Sequence, residues 1–189
     1  MCRVVWVIFL ILIQSCASNK FVKTKMYEDG VSLVGKSVYV YSMLDIRDSE
    51  FGENMLNAFD TQLVNGLYTK GVKAKVLRFT DSLAGMSFTM SNSAELPIES
   101  LVTKNKDDEN AFEAGYRLLI IPSQMTLQGA WKFYDLSWIL VDVKTDKVVW
   151  RAVSEGQHLT GMYNDENPDG RATTMLKGLF LQLQHNKLI

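Results

Sequence analysis

A glycine-containing segment near the amino end has the spacing of a phosphate-binding loop. Gly30 and the run Gly35-Lys36-Ser37 match the pattern in which backbone N–H groups, a lysine and a hydroxyl hold phosphates. Such a loop requires a helix directly after it, because the helix amino terminus contributes to phosphate binding. Residues 38–41 are instead β-branched and aromatic, which is typical of a strand. We therefore interpret the match as coincidental.

The sequence also lacks a complete set of oxygen or nitrogen ligands for a metal ion. Residues 165–170 begin like a calcium loop, but its twelfth position is Leu176 where a bidentate glutamate should close the site. We expect Asp169 or Asn167 to cap the last helix instead. The two histidines of the chain lack metal-ligand spacing. The sequence predicts neither a metal nor another cofactor.

Signs of catalysis are equally sparse. The chain has no Gly-x-Ser-x-Gly nucleophile elbow. The acidic run 107–109 is most simply a solvated turn, and nothing favours a carboxylate pair for glycoside hydrolysis. We expect no enzyme activity.

A cluster of aromatic residues is the remaining candidate for a functional site. Trp150 is expected in the core, whereas Trp131, Phe133, Tyr134 and Trp138 lie in or near a loop, or on a mixed hairpin face. Exposed aromatic side chains supply much of the binding energy at protein interfaces. The four residues are therefore predicted to bind a partner, with core packing as the alternative. Replacing Trp138 with alanine should then spare folding and weaken partner capture.

The amino terminus has the features of an export signal. Arg3 precedes ten apolar residues, too few to span a bilayer but suited to the apolar region of a signal peptide. The run Ile13-Gln14-Ser15-Cys16 resembles the bacterial lipobox, from which Gln14 departs. The resemblance implies lipidation at Cys16, hence attachment to a membrane of the bacterial envelope. We expect the outer membrane, facing the periplasm. A secretory signal with an incidental cysteine, or a short uncleaved anchor, are the alternatives.

Charge and cysteine content exclude several classes of protein. Twenty basic and 21 acidic residues give a formal net charge of −1, which loss of Arg3 makes one unit more negative. With no basic stretch, nucleic acid is not an expected partner. Removal of Cys2 and lipidation of Cys16 would leave no thiol for a disulfide, a nucleophile or a metal.

Hydrophobic periodicity predicts one α/β domain. Residues 1–15 are the predicted signal peptide, residues 16–34 a polar tether, and residues 35–189 a domain of two or three layers with a mixed sheet. Its predicted order is β-α-β-α-β-β(-β)-α. The elements are strands at 38–43, 72–79 and 116–122, helices at 51–67 and 169–185, weak helical character over 97–114, a flap at 81–96, and a possible strand at 125–131.

The clearest local prediction is a hairpin formed by residues 135–143 and 148–158. Pairing Val143 with Val148 places Val141 opposite Trp150 and puts the next apolar pair on the same face. That face is predicted to join the core. The opposite, mixed face would then carry Trp138, Leu140, Asp142, Val149, Arg151 and Val153.

Three stretches, at residues 36–67, 114–122 and 136–150, resemble a group of envelope lipoprotein domains. The strongest part is the hairpin 140–150, similar to a strand followed by Lys-Thr-Gly-Lys and Val-Val-Trp, with Asp146 in place of the glycine. The group comprises the curli secretion channel family, the penicillin-binding-protein activator lipoproteins and the amino-terminal domain of the Tol-Pal translocation protein. The resemblance implies binding to partner proteins without catalysis.

These observations favour a non-enzymatic, membrane-anchored lipoprotein that binds or assembles with other cell-envelope proteins. One alternative is a periplasmic small-ligand binding protein or hydrolase with a pocket under the flap 81–96. Another is a subunit of an oligomeric outer-membrane secretion assembly, for which a homo-oligomer is expected.

Overall fold

The computed structural model describes residues 17–47, 51–82, 98–159 and 168–189. The predicted signal peptide, Cys16, most of the flap 81–96 and the first half of the run 165–170, including Asn167, lie outside them. No helix in the described ranges is long and apolar enough to cross a membrane. The elements are β1 (Ala17–Met26), β2 (Ser37–Ser42), α1 (Glu53–Tyr68), β3 (Lys73–Arg78), α2 (Phe79–Ser82), α3 (Ile98–Lys104), α4 (Lys106–Ala111), β4 (Tyr116–Gln128), β5 (Trp131–Asp142), β6 (Lys147–Leu159) and α5 (Pro168–His185), with a 3₁₀ turn at Leu44–Arg47.

One mixed six-stranded sheet organises the domain, in the order β1-β6-β5-β4-β2-β3. Strand β2 runs parallel to β3 and β4, and the pairs β4–β5, β5–β6 and β6–β1 are antiparallel. The unit β2-α1-β3 is the parallel crossover that periodicity predicts. The α/β class with a single mixed sheet is confirmed.

The segment predicted as a tether is folded over most of its length, which corrects the expected boundary at residue 35. Strand β1 forms an edge of the sheet, with Ala17 opposite His158 and Met26 opposite Trp150. Further along, the Leu33 amide donates to the Leu188 carbonyl oxygen at 2.8 Å. The polar composition led to the prediction of a tether, because an edge strand with one solvent face needs few apolar residues. The lysines of such a strand also hinder its pairing with another chain.

The predicted hairpin exists, but its register is wrong, by two residues next to the turn and by one residue beyond Val149. Lys147 pairs with Asp142, because the turn includes Val143 and is closed by the Asp142 carboxylate, which accepts from the Thr145 amide at 2.7 Å. A register shift at Val149 then places Trp150 opposite Leu140. A shift of one residue moves a strand's side chains to the other face. Trp138 and Leu140 therefore join Trp150 in the core, opposite to the prediction.

Helices α1 and α5 cover one face of the sheet and form the main core. The apolar spacing that predicted α1 corresponds to its buried side. The two helices approach closely, since a Cβ on Gly66 would come within 2.3 Å of the Phe180 ring. The buried apolar residues are Met55, Leu56, Phe59, Leu63 and Leu67 in α1, and Ala172, Met175, Leu176, Leu179 and Leu183 in α5.

Short helices cover part of the other face. Tyr39, Tyr41 and Leu119 of β2 and β4 belong there to a second cluster, to which α2, α3 and Phe112 after the end of α4 contribute. The polar run 104–110, expected to interrupt the helical segment, contains the end of α3 and most of α4. Within the described ranges, the β2–β4 half of the domain thus has three layers and the β1–β6–β5 half has two.

Candidate functional site

The two-layered half of the sheet presents a face that the described helices leave largely uncovered. We call this the outer face. By strand register it runs across β1, β6 and β5, and the second cluster reaches it at Ile139 on its border. The outer face consists of Lys20, Lys23, Lys25, Arg151, Val153, Glu155, Gln157, Phe133, Asp135, Ser137 and Ile139, with Trp131 at its end.

The outer face combines apolar and charged groups. Phe133, Val153 and Ile139 are half-buried, whereas Lys20, Arg151 and Glu155 are exposed. Such a mixture is typical of a non-obligate protein interface, which is about as apolar as the rest of a protein surface. No cluster of residues able to hold a metal ion occurs in the described ranges. This face is suited to binding another macromolecule.

Trp138 lies in the core, which corrects its prediction as an exposed partner-binding residue. Its side chain is 0% exposed. The indole Nε1–H donates to the Ser154 hydroxyl at 2.9 Å. Its ring centroid lies 5.7 Å from that of Phe21 and 6.4 Å from that of Phe59. The cause is the register shift, which turns Trp138 away from the outer face.

Tyr134 is also buried, so its prediction as an exposed binding residue is wrong. Its ring lies edge-on to Phe51 with centroids 5.3 Å apart, and 5.7 Å from the His158 ring. Burial raises the pKa of the Tyr134 hydroxyl well above its usual value. The ring lies directly over Gly156, where a Cβ would come within 2.1 Å of it.

Replacing Gly156 with alanine is expected to destabilise the domain by about 1–3 kcal/mol, the usual cost of overpacking a core. The new methyl group would displace the Tyr134 ring, which Phe51 and His158 hold in place. Urea unfolding measures the loss. Gly115→Ala is the matched control, because its nearest atom would be 3.7 Å away. Equal stabilities for the two variants would contradict the packing described.

Trp131 and Phe133 are the two predicted residues that remain at the surface. Both are half-buried. They lie on the outer face, opposite Leu159 and Gln157 of β6 respectively. Their role in partner binding stays a prediction. The sequence contained a signal that separates the surface residues of β5 from the buried ones, because the two sets alternate along the strand. Phe133, Asp135 and Ser137 form one set, and Tyr134, Leu136 and Trp138 form the other.

A polar cluster beneath α4 was not anticipated from the sequence. Glu109, assigned to a solvated turn, is 0% exposed and accepts two hydrogen bonds from the Arg117 guanidinium at 2.8 and 2.7 Å. Next to it, the Asp108 carboxylate binds the Lys75 ammonium at 2.7 Å and accepts from the Tyr39 hydroxyl. Both contacts hold the pKa of Asp108 below its usual value. The cluster fastens α4 to β2, β3 and β4.

The two loop motifs have structural explanations. Strand β2 begins at Ser37, so the strand predicted directly after the phosphate-loop pattern is confirmed and no helix follows the pattern there. Helix α5 begins at Pro168, which places Asp169 inside its first turn and not at the cap position. A carboxylate there interacts favourably with the helix dipole.

A shallow, open depression lies between β4, β5 and β6. It is lined by Thr126, Gln128, Phe133, Tyr134, Asp135, Glu155 and Gly156. Small-ligand sites are mostly enclosed and apolar, which this depression is not. The pocket predicted under the flap 81–96 falls mainly outside the described residues.

Comparisons with known proteins yield matches to solved structures only. No protein-family model matches the chain, and no curated protein does. A single-residue variant of the PelC dodecamer from Paraburkholderia phytofirmans is similar at 13% identity and a TM-score of 0.47, over 88% of this chain and 99% of that one. A second PelC dodecamer from that organism matches at 12% identity and a TM-score of 0.45, over 86% and 94% of the two chains. Lipoprotein GNA1162 from Neisseria meningitidis matches at 15% identity and a TM-score of 0.43, over 79% and 99%. Because these TM-scores are below 0.5, function has to be inferred from the residues of this chain.

Proposed function

We propose that this protein is a lipoprotein of the bacterial envelope, anchored through Cys16, that binds another envelope protein through its outer face without catalysing a reaction. One observation carries the proposal. The first residue after Cys16 already belongs to β1, the strand that forms one border of the outer face. An anchor at Cys16 would therefore hold this face at a fixed place near the membrane.

The composition of the outer face supports a protein partner. Residues of both charges surround Phe133, Val153 and Ile139, so a partner could bury apolar area and form hydrogen bonds at the rim. Lys20 lies opposite Glu155, whereas Lys25 lies opposite Arg151. The second pair concentrates positive charge at the end of β1 remote from Cys16. A partner with carboxylates at the corresponding position would fit it best.

The polar groups in the core support a non-catalytic role. The Glu109–Arg117 pair and the Trp138–Ser154 hydrogen bond satisfy buried groups. Because each of these buried polar side chains has a hydrogen-bond partner, a structural role explains its presence in the core. The proposal accordingly assigns no reacting group.

Site-specific photo-cross-linking in intact cells tests the proposal. A photoreactive phenylalanine at Val153, in the centre of the outer face, should yield a discrete product containing one envelope protein. The same probe at Leu181, an exposed position on α5, serves as the matched control and should not yield it. Mass spectrometry of the amino-terminal peptide should find Cys16 carrying a diacylglyceryl group.

Three outcomes contradict the proposal in different ways. An unlipidated, uncleaved terminus would remove the anchor. Identical products from positions 153 and 181 would show that the outer face has no special role. A product that consists of two copies of this chain would favour the predicted homo-oligomer over a different partner.

A further inference from the structure

We propose that the β4–β5 turn is a second membrane contact. The tip of this hairpin would touch the lipid surface beside the anchor at Cys16. The proposal rests on the proposed function, because it requires the lipid on Cys16. The contact consists of Leu127 and Trp131, on either side of the turn residues Gly129 and Ala130. Its ligand is the interface between phospholipid headgroups and acyl chains.

Strand register places the turn next to the anchor. Leu127 pairs with Lys132, Lys132 with His158, and His158 with Ala17, so the four residues form one row across β4, β5, β6 and β1. Neighbouring strands are about 4.8 Å apart, so this row spans about 14 Å. Cys16 is the residue before Ala17, at a Cα distance of about 3.8 Å. A lipid on Cys16 would bring the whole row to the membrane surface.

The strands that carry the turn extend well past the middle of the sheet. The last residue of β2, Ser42, pairs with Ile120, and β4 continues to Gln128. Eight further residues of strand cover about 26 Å at 3.3 Å per residue. The turn therefore lies at the same end of the sheet as Ala17, beyond the ends of β2 and β3.

The side chains at this end suit an interface with lipid. Leu127 is 64% exposed, which is costly in water for an aliphatic side chain but favourable at the acyl boundary. Trp131 is half-buried, and tryptophan is enriched at membrane interfaces because its ring is apolar and its N–H is polar. Residues 118–134 contain no carboxylate, and their one cation is Lys132. No negative charge in this segment would be repelled by anionic headgroups.

A weak contact is sufficient here. The lipid anchor holds the turn at the surface, so the contact forms within one molecule and needs little affinity of its own. It would fix the orientation of the sheet, with the strands standing upright and the outer face directed sideways. This orientation leaves the outer face accessible to a neighbouring protein.

Nitroxide depth measurements on the full-length, processed protein test the inference. Leu127→Cys is labelled with a nitroxide, and the protein is reconstituted in vesicles of phosphatidylethanolamine and phosphatidylglycerol. Val34→Cys is the matched control, because Val34 is an exposed aliphatic residue that precedes β2, at the opposite end of the sheet. Relaxation by oxygen, which concentrates in lipid, is compared with relaxation by an aqueous nickel chelate. The ratio of the two should be several-fold higher at position 127 than at position 34.

Equal ratios at the two positions, in protein shown by mass spectrometry to carry lipid on Cys16, would overturn this inference alone. An amino terminus without lipid would overturn the proposed function and this inference together. As a second measurement, brominated lipids should quench the fluorescence of Trp131, and the Trp131→Phe variant should lose most of that quenching. Quenching that is unchanged in Trp131→Phe would place the contact elsewhere.

Discussion

Replacing Trp138 with alanine is expected to lower the free energy of unfolding by about 3–5 kcal/mol, the usual cost of truncating a large buried aromatic side chain. The ring fills the core between the sheet and α1, close to Phe21 and Phe59. The substitution would leave a cavity there. It would also leave the buried Ser154 hydroxyl without the indole donor, which adds a desolvation cost.

Urea unfolding followed by far-ultraviolet circular dichroism measures this loss. Trp131→Ala is the matched control, with the same change of side chain in the same strand but at a half-buried position. It should cost no more than about 1 kcal/mol, as is usual for substitutions near the surface. If the two variants lost equal stability, the assignment of Trp138 to the core and of Trp131 to the outer face would be wrong.

The contrast between these two tryptophans shows where prediction from the sequence succeeds. Regular periodicity identified α1, β3 and α5 nearly to their ends, because each buries one side against the sheet. The fold class follows from the same patterns. The faces of β5 were assigned wrongly, because pairing counted outward from the turn does not reveal the extra residue at Val149 of β6.

Long-range pairing accounts for the other differences. Strand β1 contains Lys20, Lys23 and Lys25, and it forms because β6 offers it backbone partners from a distant part of the chain. Glu109 is similar, since its acidic surroundings indicate solvent and only the packing of α4 against β4 brings it to Arg117. Periodicity reports what a segment buries on average, whereas these contacts depend on which elements become neighbours.

Breaking the buried ion pair beneath α4 is the second change expected to have a large effect. Arg117→Met should lower the free energy of unfolding by about 3–5 kcal/mol, because the carboxylate of Glu109 would remain buried without its partner. Glu109 and Arg117 have side chains that are 0% and 8% exposed, so water cannot replace the lost hydrogen bonds. The Arg117 guanidinium also binds Asp146 in the β5–β6 turn at 3.1 Å, a contact that would be lost as well.

The exposed ion pair of the same cluster supplies the control. Lys75 and Asp108 are 42% and 46% exposed, and Lys75→Met should cost no more than about 1 kcal/mol in the same urea measurement. The double variant Glu109→Leu with Arg117→Met should regain much of the loss, because it removes the uncompensated charge and keeps apolar volume. Failure of the double variant to recover would show that α4 is held by the pair itself. A loss in Arg117→Met as small as that in Lys75→Met would show that Glu109 reaches water.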